Sequence, residues 1–222
     1  MEPKHETLPG GTPVFTTRAH PITTDSLLLA AFCAPKPHWA ACDLGSGGGV
    51  LLLSLIDKGL TGPAIGVELQ PTGTALLQQA IGCGALANVQ AVCGDIRAWR
   101  APHLFDLVVA NPPYFTAGMH SPTPARATAR HQTAGGLADF SAAAARMLKD
   151  GVRFCLCYPA GQLATAFEAL AAHRLAPKRL QLARKAPDAP PWLALIDARK
   201  AAGPGLKILP DKIVPPGNSV RY

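Results

Sequence analysis

No apolar run in the sequence approaches the ~18 residues that a helix needs to cross a bilayer. The first twenty residues carry Glu2, Lys4, His5, Glu6 and Arg18 and contain no apolar secretory core. These absences predict a cytoplasmic protein with no membrane contact. There is also no C-x-x-C pair: the six cysteines, at 33, 42, 83, 93, 155 and 157, fall mostly in apolar runs and read as small buried hydrophobes. Neither a disulfide framework nor a metal site is expected. Charged residues are scarce at 16%, and hydrophobic ones reach 48%, a balance that excludes a disordered chain. Acidic residues are outnumbered 14 to 21 by Lys and Arg, giving a formal charge of +7. That excess suits a polyanionic partner such as RNA or DNA, and equally serves solubility.

What is present is a regular alternation. With 222 residues, the chain fits one domain, divided into an N-terminal segment (1–38), an α/β core (39–198) and a loop-rich tail (199–222). Short apolar runs at 39–44, 64–69, 89–95, 105–110 and 152–158 alternate with helix-like segments at 49–59, from Pro71 to about Gly82, and from Leu137 to Leu148. This pattern predicts a mostly parallel sheet with helices on both faces. A further helix is expected over 162–173. Strands at 178–184 and 192–198, joined by the turn-rich KAPDAPP, would form an antiparallel hairpin at the sheet edge, for seven strands in all. Residues 1–24 show little periodicity and are expected to be loop.

DLGSGGG (43–49) joins the first strand to the first helix. Glycines there permit a sharp turn and close approach of a ligand to the backbone. A phosphate-binding P-loop is excluded, because no Lys-Ser or Lys-Thr follows them. Asp43 ends the first strand, Glu68 the second, and Asp95 follows the third. Ligands of open α/β sheets bind at that edge, where a carboxylate at the second strand's tip accepts bonds from ribose hydroxyls.

With Gly45, Gly47, Glu68 and the GDI at 94–96, this set resembles the class I S-adenosylmethionine-dependent methyltransferases. The resemblance implies a Rossmann-like, seven-stranded, mostly parallel sheet whose last strand is antiparallel. It also implies that the glycine turn faces the methionine part of S-adenosylmethionine. Glu68, with Leu69 beside it, would bind the ribose, and Asp95 with Ile96 would flank the adenine.

FDLVV runs into Asn111, Pro112, Pro113, Tyr114 and Phe115. Two prolines end a strand, since neither can donate to the ladder. NPPY in that place resembles the turn of enzymes that methylate planar nitrogens. In such enzymes an Asn111 oxygen and the Pro112 carbonyl would accept the amine's two N–H bonds, while Tyr114 would stack on the base. No general base is required, so neither His120 nor His131 is assigned that role. The aperiodic stretch 115–133 carries Arg126 and Arg130 as candidate phosphate contacts.

HPITTDSLLLAAF (20–32), NPPYF and TPARATAR (123–130) together resemble the bacterial methyltransferases that modify N6 of adenine 37 in a valine tRNA. That resemblance spans roughly 15–198. It implies a tRNA substrate, and an N-terminal segment in which Thr23, Thr24 and Asp25 fold over the cofactor, with Thr24 and Asp25 as cofactor-binding residues. Glutamine methylation in a release factor, and a non-catalytic cofactor-binding subunit, are the alternatives.

Overall fold

The computed structural model describes residues 2–114 and 135–215. Phe115, Arg126, Arg130, His120 and His131 lie outside these residues, as does the end of the tail. The chain opens with β1 (Lys4–Thr7) and β2 (Pro13–Thr16), an antiparallel hairpin, followed by α1 (Thr24–Cys33). The expectation of loop over 1–24 is thus corrected. Each strand has only four residues, and Asp57 pins their turn from outside by accepting the N–H groups of Gly10 (2.9 Å) and Thr12 (3.0 Å). Such tethering is tertiary and leaves no local periodicity.

The core then runs β3 (Ala41–Leu44), α2 (Val50–Asp57), β4 (Ala64–Glu68), α3 (Pro71–Gly84), β5 (Val89–Cys93) and β6 (Phe105–Ala110). After the undescribed stretch come α4 (Leu137–Met147), β7 (Leu148–Pro159), α5 (Leu163–Ala171), β8 (Leu175–Arg184) and β9 (Leu193–Lys200). Spatially the strands lie in the order β5-β4-β3-β6-β7-β9-β8. All are parallel except β9, which runs antiparallel to both neighbours. This is the Rossmann-like class I methyltransferase arrangement. Pro71 sits in the first helical turn, where its missing N–H costs nothing.

The tail adds to the sheet at the β8 edge. Within its loop-rich course the tail supplies β10 (Lys207–Ile208) and β11 (Lys212–Ile213), each pairing in parallel with β8. Two-residue strands are too short to leave a pattern. The cysteine expectation also divides. Cys33, Cys42, Cys155 and Cys157 are buried, but Cys83 and Cys93 are exposed, the latter on the edge strand β5.

Strand alternation divides the core between the two faces. Leu107 and Val109 of β6 pack with residues of α1, α2 and α3, whereas Val108 and Ala110 pack with α4 and α5. Asp197 of β9, 2% exposed, accepts bonds from Arg153 Nε (3.1 Å) and Arg179 Nε (2.7 Å). Arg179 also donates to the Phe32 carbonyl at 3.1 Å, which fastens the end of α1 to the sheet.

The turn after β3 is shaped by its glycines. Gly49, the α2 N-cap, has φ +83°, and a Cβ there would stand 2.5 Å from Leu77 Cδ1. Gly49→Ala is therefore expected to destabilise the fold by about 2 kcal/mol from left-handed strain and crowding. Urea unfolding would measure it; an unchanged midpoint would contradict this account of the turn.

Candidate active site

The carboxyl ends of β3, β4, β5 and β6 surround a cavity of about 360 Å³. β3 pairs with β4 on one side and β6 on the other, so the sheet's winding reverses there and a crevice opens. Of the residues expected at the site, Asp43, Gly45, Gly47, Glu68, Leu69, Asp95, Ile96, Asn111 and Pro113 line this cavity.

Glu68 is 8% exposed and carries part of the wall. Its Oε2 accepts the Gly47 N–H and its Oε1 the Gln70 N–H, both at 2.8 Å. Each carboxylate oxygen offers two lone pairs, so capacity remains on both for a ligand diol. Asp43 is 1% exposed, and neither of its oxygens has a hydrogen-bond partner. Burial pushes its carboxyl well above the usual carboxylate range, and the Glu68 charge adds to the rise. A buried acid left without donors beside a cavity is suited to a cationic ligand group. Asp95 is held differently. Its Oδ1 accepts the Arg97 backbone N–H at 2.9 Å and its carboxylate pairs with the guanidinium, which lowers its pKa.

The N-terminal segment forms the opposite wall through Ala19, His20, Pro21, Thr23 and Ser26. Of the expected segment Thr23 lines the cavity, while Thr24 and Asp25 do not and Ser26 takes the next place on the wall. Thr23 is the α1 N-cap, its Oγ1 accepting the Ser26 N–H at 3.2 Å. Helical geometry then places 23 and 26 on one face and turns 24 and 25 away from it. Phe140 of α4 lines the site too, its ring so close to the turn that a Cβ on Gly45 would meet it at 3.1 Å. The sequence offers no signal for that contact.

Pro112 is buried and Tyr114 is 36% exposed; neither lines the cavity. Asn111 does, and its amide is held from both ends. Nδ2 donates to Ser26 Oγ at 3.2 Å, while Oδ1 lies 2.8 Å from the Tyr114 hydroxyl and 3.2 Å from Cys157 Sγ. The Tyr114 and Tyr158 rings stand at 89° to each other in a T-shaped contact, with 5.8 Å between centroids. Cys157 and Tyr158 are contacts that the sequence did not disclose. Among the described residues, no group of three or more His, Cys, Asp or Glu side chains could hold a metal ion.

The family pattern described as "Methyltransferase domain" matches residues 35–186, well over half of the chain. The chain belongs to this methyltransferase-domain family. Among named relatives, a tRNA1(Val) (adenine(37)-N6)-methyltransferase of an Enterobacter species is 32% identical over 143 residues, covering 62% of this chain and 58% of the relative. One with the same name from Tolumonas auensis is 29% identical over 185 residues, covering 82% and 77%. The first match therefore spans less than two thirds of the relative's length. Of solved structures, a predicted O-methyltransferase of Agrobacterium tumefaciens superposes with a TM-score of 0.69 at 18% identity, covering 88% of this chain and 90% of that one. A Thermus thermophilus 16S rRNA N2 methyltransferase, in complex with AdoMet and guanosine, gives 0.61 at 22% identity, covering 90% and 50%. Both share the methyltransferase fold.

The orphaned carboxylate supplies a test of the site. Because the Asp43 pKa is raised in the fold, ligand-free stability is full below the ordinary carboxylate range and is lost as pH rises through the raised value. Asp43→Asn is expected to remove that loss, so that its melting temperature falls less than the parent's as pH rises above the ordinary carboxylate range. The same change should weaken S-adenosylmethionine binding about 10-fold, the worth of one charge-assisted bond. Unchanged affinity in titration calorimetry would remove Asp43 from the site.

Proposed function

We propose that the protein is an S-adenosylmethionine-dependent methyltransferase that acts on the exocyclic N6 of an adenine in tRNA, as the names of its relatives describe for them. The observation that carries the reading is the position of Asn111. Its amide stands on the wall of the same cavity as the glycine turn, Asp43 and Glu68.

A cationic methyl donor suits a cavity with two buried acids. Asp43 would hold its ammonium group, Glu68 its ribose hydroxyls, and Asp95 with Ile96 would flank its adenine. Residues 1–38 would cover the donor, chiefly through the wall from Ala19 to Ser26. When bound, S-adenosylmethionine supplies an electrophilic methyl carbon on a sulfonium.

The chemical difficulty lies with the acceptor. The lone pair of an exocyclic amine is delocalised into the ring, so the nitrogen is a poor nucleophile. Asn111 Oδ1 and the Pro112 carbonyl would accept its two N–H bonds, favour a tetrahedral nitrogen and direct the lone pair into the cavity. As the N–C bond forms, the methyl–sulfur bond breaks and its electron pair stays on sulfur. The methylated nitrogen is then strongly acidic and gives its proton to solvent, so no side chain need serve as base.

Tyr114 would offer its exposed ring face to the flipped base, a contact worth about 1–3 kcal/mol. Arg126 and Arg130 would meet phosphates, in keeping with the +7 charge. A tRNA substrate accords with the cytoplasmic location expected from the sequence.

The test offers labelled donor with total tRNA, release factor or duplex DNA, followed by nucleoside analysis. Label is expected in N6-methyladenosine of tRNA, and label only in protein would overturn the RNA reading. Asn111→Ala should lower transfer by about 100-fold or more while leaving donor affinity nearly intact. A variant that loses donor affinity instead would contradict the role given to Asn111.

A further inference from the structure

Asn111 Oδ1 presents a conflict of hydrogen-bond accounting. An amide oxygen has two lone pairs. Two donors stand within reach of it, the Tyr114 hydroxyl at 2.8 Å and the Cys157 thiol at 3.2 Å. Burial raises both pKa values, so both groups keep their protons. The acceptor that must hold the substrate amine is therefore capped from within the protein.

A way out lies on the far side of the same hydroxyl. Tyr114 Oη is 3.0 Å from Asp25 Oδ2, and Asp25 Oδ1 accepts Trp192 Nε1–H at 3.4 Å. Asp25 does not line the cavity, so its carboxylate faces this network rather than the donor. A phenol has one proton and here two acceptors. If the substrate amine takes Asn111, the Tyr114 O–H must turn to Asp25 or lose its protein acceptor, at the cost of a hydrogen bond. A carboxylate is the stronger acceptor of the two. The vacated phenol lone pair also faces Cys157 Sγ at 3.4 Å, so the thiol too has somewhere to turn.

We propose that Asp25 is a positioning residue that accepts the Tyr114 O–H hydrogen bond as the substrate amine engages Asn111. It thereby uncaps the acceptor that aims the nucleophile. The inference rests on the reading of Asn111 given above and assigns Asp25 a role distinct from cofactor binding. It predicts that Asp25 matters only while Tyr114 has a hydroxyl.

A double-mutant cycle of Asp25→Ala and Tyr114→Phe tests this, measured with whichever of tRNA, release factor or duplex DNA takes label from the parent enzyme. Asn111 would do the same work for any planar nitrogen. Asp25→Ala is expected to lower kcat about 10- to 100-fold, with donor Kd and the KM for the acceptor within about twofold of the parent. Asp25→Asn, which keeps the shape and a weaker acceptor, should fall between the two and guards against misfolding. Asp25→Ala combined with Tyr114→Phe should be as active as Tyr114→Phe alone, because the capping proton is gone.

Losses that multiply, or a donor Kd that rises in step with the fall in kcat, would overturn the role of Asp25. Label in protein alone would overturn the tRNA reading and leave the cycle measurable. No label from any acceptor would overturn both.

Discussion

The reversal of the sheet's winding at β3 is the constraint from which the site follows. Because β3 hydrogen-bonds to β4 on one side and β6 on the other, no connection crosses its carboxyl end and a crevice remains there. Glycines let the chain leave β3 without filling that space. The Glu68 carboxylate then fixes the turn by accepting the Gly47 N–H at 2.8 Å, so one side chain both shapes the loop and faces the cavity. Asp43 remains as a buried carboxyl whose oxygens have no hydrogen-bond partner. Burial raises its pKa, and a cationic group bound beside it would favour the ionised form.

Helix α1 closes the opposite wall and is held at both ends. Arg179, itself paired with buried Asp197, grips the carbonyl of Phe32 near its C-terminus. At its N-terminus Ser26 bonds to the Asn111 amide and Asp25 to Tyr114. The reactive turn after β6 is thus braced by a helix distant in sequence. Its two prolines limit the backbone, and the α1 network limits the side chains.

Much of this was legible in the sequence, for definite reasons. The strand–helix alternation from 39 to 198 has the length and periodicity that a parallel sheet requires, and acids at strand ends stand out against apolar runs. The glycine turn and NPPY are dense local signals. What escaped was non-local or too short. KHET and PVFT are four-residue strands held by Asp57, and β10 and β11 pair over two residues each. Thr23 and Ser26, rather than Thr24 and Asp25, occupy the cavity wall, because the facing side depends on where the helix is capped. Cys157 reaches the reactive turn only because β7 lies beside β6 in the sheet, and Trp192, just before β9, reaches Asp25 of α1.

The central claim is that one cavity joins the donor to the reactive turn. A crystal structure of the protein with S-adenosylhomocysteine tests it most directly. The account predicts the ligand ammonium on Asp43, the ribose hydroxyls on Glu68 and the sulfur facing the Asn111 amide. A ligand bound outside the cavity, or inside it with its sulfur turned away from Asn111, would contradict the account.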